Sequence, residues 1–336
     1  MKILLDKNKE YFKANMHAHS NLSDGNWSVE KLKEEYKKRG YSIIAITDHE
    51  HLINHNHIDD EKFLTIPSCE MMIKEYPEYS SGTKQEMKVA HFNFYSLDKS
   101  AVTTPCYFEK FDVHTTSEIK KKTISSSIMR ERVYSKECIC QMIKTAKDEG
   151  YLVSYNHPTW SNESAIDYLR YEGVDFVEVY NNSCTKTLGL TEDEHAFDDF
   201  LKSGKKVYCF CTDDNHNKKE VDSPYFDSFG GWIQINADRL DYQTIMNALK
   251  EGSFYASTGA EIYSLTVDGD KVEISTSKAK RITLTTNGRK AQNLRAKEGE
   301  YLEKAEFTIK EDYEYIRITV EDEHGKKAYT QPYYCK

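Results

Sequence analysis

Side chains able to hold a divalent cation or move a proton recur at one kind of position along this chain. His17 and His19, Asp48 and His49, Glu70, His157, Glu178, and Asp213, Asp214 and His216 each follow or close a short β-branched or aromatic run of the type that forms strands. His91 alone lies inside such a run. His17 and His19, two apart on an extended chain, point to the same side and can grip one ion together. Neutral imidazole and carboxylate together suit Zn, Mn or Fe, and a carboxylate such as Glu70 can bridge two ions.

The elements that must position these groups follow from the pattern. Expected strands cover 11–16, 42–46, 63–68, 88–95, 151–155, 175–179, 206–211 and 231–235. Expected helices at 29–39, 135–149, 164–171, 192–202 and 242–251 alternate with them, which is the signature of βα units. Ser28 is a natural N-cap for the first helix and Gly40 its stop, while Gly150 ends the second. Seven or eight such units predict a closed barrel of parallel strands, and all their C-terminal ends would then meet at one face. The stretch 99–122 lacks periodicity and reads as a surface excursion. After Gly259 the composition changes: strand-like runs are separated by Asp268-Gly269, Asn287-Gly288 and His324-Gly325, which is turn chemistry. The expected division is therefore a barrel over residues 1–260 and a small β-sandwich over 261–336.

The pattern His17-Ala18-His19-Ser20, then Ser23-Asp24-Gly25, then Thr47-Asp48-His49, strongly resembles the PHP family, named for polymerase and histidinol phosphatase. The match continues in family order through Glu70, His91, His157-Pro158 and Asp214-Asn215-His216, so it spans roughly residues 11–220. That resemblance implies an α/β fold, a distorted (β/α)7-type barrel followed here by an Ig-like β-sandwich, with two or three divalent ions. Carried over by position, His17, His19, Glu70 and Asp214 would bind the first ion, and Glu70, His91 and His157 the second. Asp24, His49 and His216 would bind the third. Asp48 would orient a ligand, as metal-bound imidazoles usually require. Either Asp213 or Asp214 can fill the aspartate position, and the spacing to His216 favours Asp214.

The expected activity is hydrolysis of a phosphate ester on a small phosphorylated metabolite or nucleotide, by a water that clustered cations acidify. His51 is the candidate proton donor to the leaving group, and Arg130 and Arg132 are candidate clamps for a second anionic group. Two other readings use the same residues. One is hydrolysis of a carboxylic or carbamate ester or an amide; the other is a catalytically silent binding module.

Each feature also has a plainer reading. Isolated histidines such as His114, His195 and His324 are ordinarily surface or satisfied core residues, and His55 and His57 sit in a solvated Asn/Asp-rich loop. Glu178 alternates with Phe176 and Tyr180, as a half-buried strand would. Cys69, Cys209 and Cys211 read as small core residues. The eight cysteines are dispersed, which fits reduced thiols in the cytoplasm. The charged N-terminus has no apolar signal core, and a mean hydropathy of -0.74 with no long apolar run predicts no membrane span. A net charge of -9 disfavours duplex nucleic acid as a partner, although a cation-filled cleft would still attract a small anion.

Overall fold

The computed structural model describes residues 1–79, 84–127, 131–190, 193–289 and 291–335. Helices begin where the sequence offers a cap. Ser28 accepts from the Lys31 N–H to start Val29–Lys38, Ser135 from Cys138 to start Lys136–Asp148, and Asp241 from Thr244 to start Tyr242–Glu251. Each such cap stabilises by about 1 kcal/mol. The buried residues Ile139, Met142, Ile143 and Ala146 recur at helical spacing and face the sheet.

Seven strands carry the site. In spatial order they are Tyr208–Thr212, Phe176–Asn181, Tyr151–Tyr155, Val89–Ser96, Leu64–Lys74, Tyr41–Ile46 and Glu10–Asn15. Every residue of Leu64–Lys74 and Val89–Ser96 is buried, as expected for a sheet covered on both faces.

Two features differ from the all-parallel closed barrel predicted above. Val89–Ser96 runs antiparallel to both of its neighbours, Leu64–Lys74 and Tyr151–Tyr155. Its start therefore lies at the same rim as its neighbours' C-terminal halves, with His91 directly opposite Met72. That is why a rim histidine lies inside a strand. Secondly, the ends of the seven-strand run meet through an isolated parallel bridge between Ala18 and Asn215, not through a strand pair.

Trp232–Ala237, expected as a further parallel strand, instead pairs antiparallel with Glu10–Asn15 and with Phe254–Ser257. Phe254–Ser257 then pairs with Lys327–Thr330, so the sheet runs on without a break into the C-terminal region through Tyr315–Glu321, Arg281–Thr286 and Gln292–Arg295. A second sheet contains Ile262–Asp268, Lys271–Ala279 and Leu302–Thr308. Its outer strand is Lys2–Leu5, so the chain's first strand belongs with residues 261–336 and the expected cut at 260 is not clean. Leu265, Val272, Ile274 and Phe307 from one sheet share an apolar core with Ile282, Leu284, Ile318 and Val320 from the other. Burial alternates along Lys271–Ala279, as in a strand with one wet face.

Candidate metal centre

Segments just past the strand ends are laced to one another through their backbones. The Asp214 N–H donates to the His17 carbonyl (2.9 Å), that of His19 to Asn215 (3.1 Å), and that of Glu50 to Glu70 (2.8 Å). A side chain at Gly25 would place its Cβ 2.2 Å from the His19 carbonyl oxygen, so only glycine lets the 20–25 turn fold back beneath Asp24. His157 and Asp214 hold positive φ angles of 27° and 51°, a conformation that costs energy outside glycine and clusters at functional sites.

Three overlapping groups of donor atoms result. His17, His19, Glu70 and Asp214 form one, Glu70, His91 and His157 a second, and His19, Asp24, His49 and His216 a third. Within each group the donors lie within 4.8 Å of one another. Asp214 Oδ1 stands 3.2 Å from His17 Nε2 and 3.0 Å from His19 Nε2. Glu70 lies between the groups, its Oε1 3.0 Å from His91 and 3.5 Å from His157, its Oε2 3.1 Å from His49. The cavity above them, about 190 Å³, is also lined by His114, Trp160, Cys184 and Leu188.

Buried neighbours aim the imidazoles. Glu178 Oε1 accepts from His17 Nδ1 at 2.7 Å, which leaves the Nε2 lone pair directed at Glu70 and Asp214. Glu178 is itself held by Thr212, Asn181 and the His157 N–H. His216 gives its Nδ1 proton to the Asp214 carbonyl (2.9 Å), which leaves Nε2 facing Asp24.

Nδ1 of His19, Nδ1 of His49, Nε2 of His91 and Oδ1 of Asp24 are buried with no hydrogen-bond partner. Each such group costs about 1–3 kcal/mol if nothing satisfies it. Unsatisfied imidazole and carboxylate donors converging at one rim fit divalent cations. The electrostatics agree. Burial alone would raise the Asp214 carboxyl, but the charges of His17, His216 and His19 and a hydrogen bond from His19 hold it far below its usual range. Burial would likewise lower His216, yet the Asp24 carboxylate lifts it to about 9. Without cations the nearby carboxylates outweigh burial and favour protons on His17, His157 and His216, whereas burial favours the neutral form of His49; bound cations would replace such protons.

The model of the PHP domain matches residues 15–239, two thirds of the chain. This protein belongs to the PHP family. No curated protein matches it. Among solved structures it is similar to a two-domain protein from Bacteroides vulgatus containing a predicted PHP-like metal-dependent phosphoesterase. Identity there is 14%, covering 95% of this chain and 92% of that one, with a TM-score of 0.48. Similarity also extends to a protein from Bifidobacterium adolescentis described as a metal-dependent phosphoesterase (13% identity, 71% and 96% coverage, TM-score 0.41). An amidohydrolase from Chromobacterium violaceum solved with sulfate and no metal matches at 13% identity, 58% and 84% coverage and a TM-score of 0.35.

The PHP rim gathers His17, His19, Asp24, His49, Glu70, His91, His157, Asp214 and His216. Of the two adjacent aspartates, Asp214 faces the rim. Asp213 instead accepts from Tyr36 Oη and from the N–H groups of Phe229, Gly230 and Gly231, which pins the loop leading to Trp232–Ala237. Asp48 orients no imidazole. It accepts from the Ser20 N–H and hydroxyl and from the Ser23 hydroxyl, so it shapes the turn that presents Asp24.

The other sequence-based assignments are corrected. His51 is buried outside the cavity lining; its Nε2 contacts Asp112 (2.7 Å) and Thr115 (2.9 Å), and its Nδ1 contacts Thr123, so both ring nitrogens are engaged. Arg132 is equally buried, in a two-pronged ion pair with Glu50 at 2.7 and 2.8 Å, and it also donates to the Met72 and Cys106 carbonyls. It anchors the excursion and clamps no substrate. Arg130 lies outside the described residues.

Two rim residues were missed. His114, set aside as an isolated histidine, packs against His49 with ring centroids 4.6 Å apart and planes tilted by 31°. Trp160 packs edge-on at 4.8 Å against His157. No periodicity marks the segment carrying His114, whereas Trp160 follows His157-Pro158 closely enough to have been a signal. Glu178 contacts His17 Nδ1 and so orients a member of the first donor group, beyond the half-buried strand position that its alternation indicated. His55 and His57 stay outside the donor groups, but His55 is buried and not solvated as expected; His195 and His324 are exposed.

Proposed function

We propose that this PHP-family protein is a metal-dependent hydrolase of phosphate esters acting on a small phosphorylated metabolite or nucleotide. The observation that carries this reading is the set of three donor groups sharing Glu70 and His19, with unsatisfied buried lone pairs directed at one rim. His17, His19, Glu70 and Asp214 would hold one ion, Glu70, His91 and His157 a second, and Asp24, His49 and His216 a third. These nitrogen and oxygen donors accept Mn, Zn or Fe. When bound, such ions supply Lewis acidity toward phosphoryl oxygens and acidify water as the nucleophile.

The chain's own residues do the rest. Glu178 and the Asp214 carbonyl fix the tautomers of His17 and His216, so the ligand set is preorganised. Trp160 and Leu188 contribute apolar surface to the cavity lining. Three carboxylates, Asp24, Glu70 and Asp214, cannot neutralise three divalent charges, so a loaded rim is net positive. That favours a phosphate dianion over the neutral carbonyl of an ester or amide. Among the described residues no helix is long and apolar enough to cross a membrane.

The test is to load purified protein with manganese or zinc and to assay it on phosphate mono- and diesters beside aryl acetates. Phosphate release that exceeds acetate release supports the reading. Metal-loaded protein that releases no phosphate from any ester overturns it.

A further inference from the structure

We propose that His114 is a substrate-binding residue, the group that reaches from the 99–127 excursion into the cavity to contact the phosphoryl group. This rests on the phosphoesterase reading and adds to it a residue supplied by no barrel strand.

The placement is geometric. His114 lines the cavity together with Trp160 and packs against His49, the two rings tilted by 31°. Its Nδ1 stands 3.8 Å from Asp24 Oδ2, beyond hydrogen-bond reach, and its Nε2 is buried with no partner in the protein. It belongs to none of the three donor groups. A neutral imidazole has one N–H to donate, and an anionic oxygen in the cavity is the partner that the protein does not provide.

The excursion is built to hold this side chain still. Asp112, two residues earlier, is buried and takes contacts from His51 Nε2 (2.7 Å), Tyr107 Oη (2.9 Å) and the Thr115 hydroxyl. His51 is fixed on its other nitrogen by Thr123. Thr104 Oγ1 accepts from the Leu52 N–H at 3.0 Å, and Asn54 donates to the Lys99 and Ala101 carbonyls, both at 2.9 Å. The loop that follows the ligand His49 is thus tied to the segment bearing His114 at several points. His51 is a positioning residue: it supports Asp112 and through it the residue that does reach the cavity.

The experiment measures inorganic phosphate binding by calorimetry to manganese-loaded full-length protein, with metal content by elemental analysis. His114→Ala should keep its metal and bind phosphate at least about tenfold more weakly, as loss of a hydrogen bond to a charged group requires. His114→Gln, which keeps an N–H donor, should recover part of that loss. His51→Ala should weaken phosphate binding too, and the double variant should be no worse than His114→Ala alone, a non-additivity that general destabilisation would not produce. Unchanged phosphate affinity in His114→Ala overturns the inference, and so does loss of metal, which would make His114 a ligand. Wild-type protein that binds phosphate through His114 yet hydrolyses no ester would sink the phosphoesterase reading and leave this one standing.

Discussion

Two buried polar clusters sit close together in this molecule and are satisfied in opposite ways. At the PHP rim, imidazoles and carboxylates crowd together with several lone pairs unmatched and with His157 and Asp214 in costly backbone conformations. At Arg132, the two terminal nitrogens of a buried guanidinium meet both oxygens of Glu50 and two carbonyls, so the charges cancel in place and of its three nitrogens Nε alone lacks a hydrogen-bond partner among the described residues. The difference separates two uses of buried charge. A network that closes on itself holds chain segments together, whereas one that leaves donors aimed at a common point awaits a cation.

The sharpest way to break the contrast is Glu70→Ala. It removes the carboxylate shared by two donor groups, so activity should fall to background and metal content per chain should drop, while circular dichroism still reports a folded protein. Retained metal would show that Glu70 is no ligand. Arg132→Met should do the reverse. It strands Glu50 in the interior, so thermal or denaturant unfolding should register a loss of about 3–5 kcal/mol, with metal content of the folded fraction unchanged.

Glu178→Gln tests the support behind the rim. It should weaken metal affinity about 10–100-fold by loosening His17, with little change in unfolding. A fourth, smaller effect lies beside the rim, at a carboxyl that feels the charges of His157 and Glu178. Burial raises the Asp193 carboxyl from its ordinary 3.8 to about 6, with hydrogen bonds from Thr159 opposing the rise. The folded state therefore binds the extra proton between those values, and the contribution of Asp193 to stability should be greatest below about pH 4 and decline as pH rises through 6. Asp193→Asn should flatten that slope in metal-free protein; an unaltered profile would assign the dependence elsewhere.

Much of the donor set was legible in the sequence because most of its members lie just past strand ends, and strands announce themselves by composition, although Glu70 and His91 lie within strands and Asp24 in a turn. His17, His19 and His216 needed only that rule and the family pattern. Strand direction was not legible. Nothing in 88–95 distinguishes a parallel from an antiparallel neighbour, and the antiparallel placement of Val89–Ser96 explains the one rim histidine inside a strand. Helix Tyr242–Glu251 was readable to the residue because Asp241 and Gly252 punctuate it, whereas Asn182–Leu188 went unseen because its cap, Asn181, ends a strand. His51, Arg132 and His114 belong to no periodic pattern, so they were judged by type alone; the structure buries His51 and Arg132 in hydrogen-bonded networks and places His114 in the cavity lining. Lys2–Leu5 pairs with a strand some 260 residues away, a contact that no local pattern encodes.

The most direct test of the central claim is anomalous diffraction from crystals grown with manganese. The structure predicts anomalous peaks at ligand distance from the donor atoms of His17, His19, Glu70 and Asp214, with further peaks beside His91 and His157 and beside Asp24, His49 and His216. Manganese bound only at surface carboxylates, with none at this rim, would contradict it.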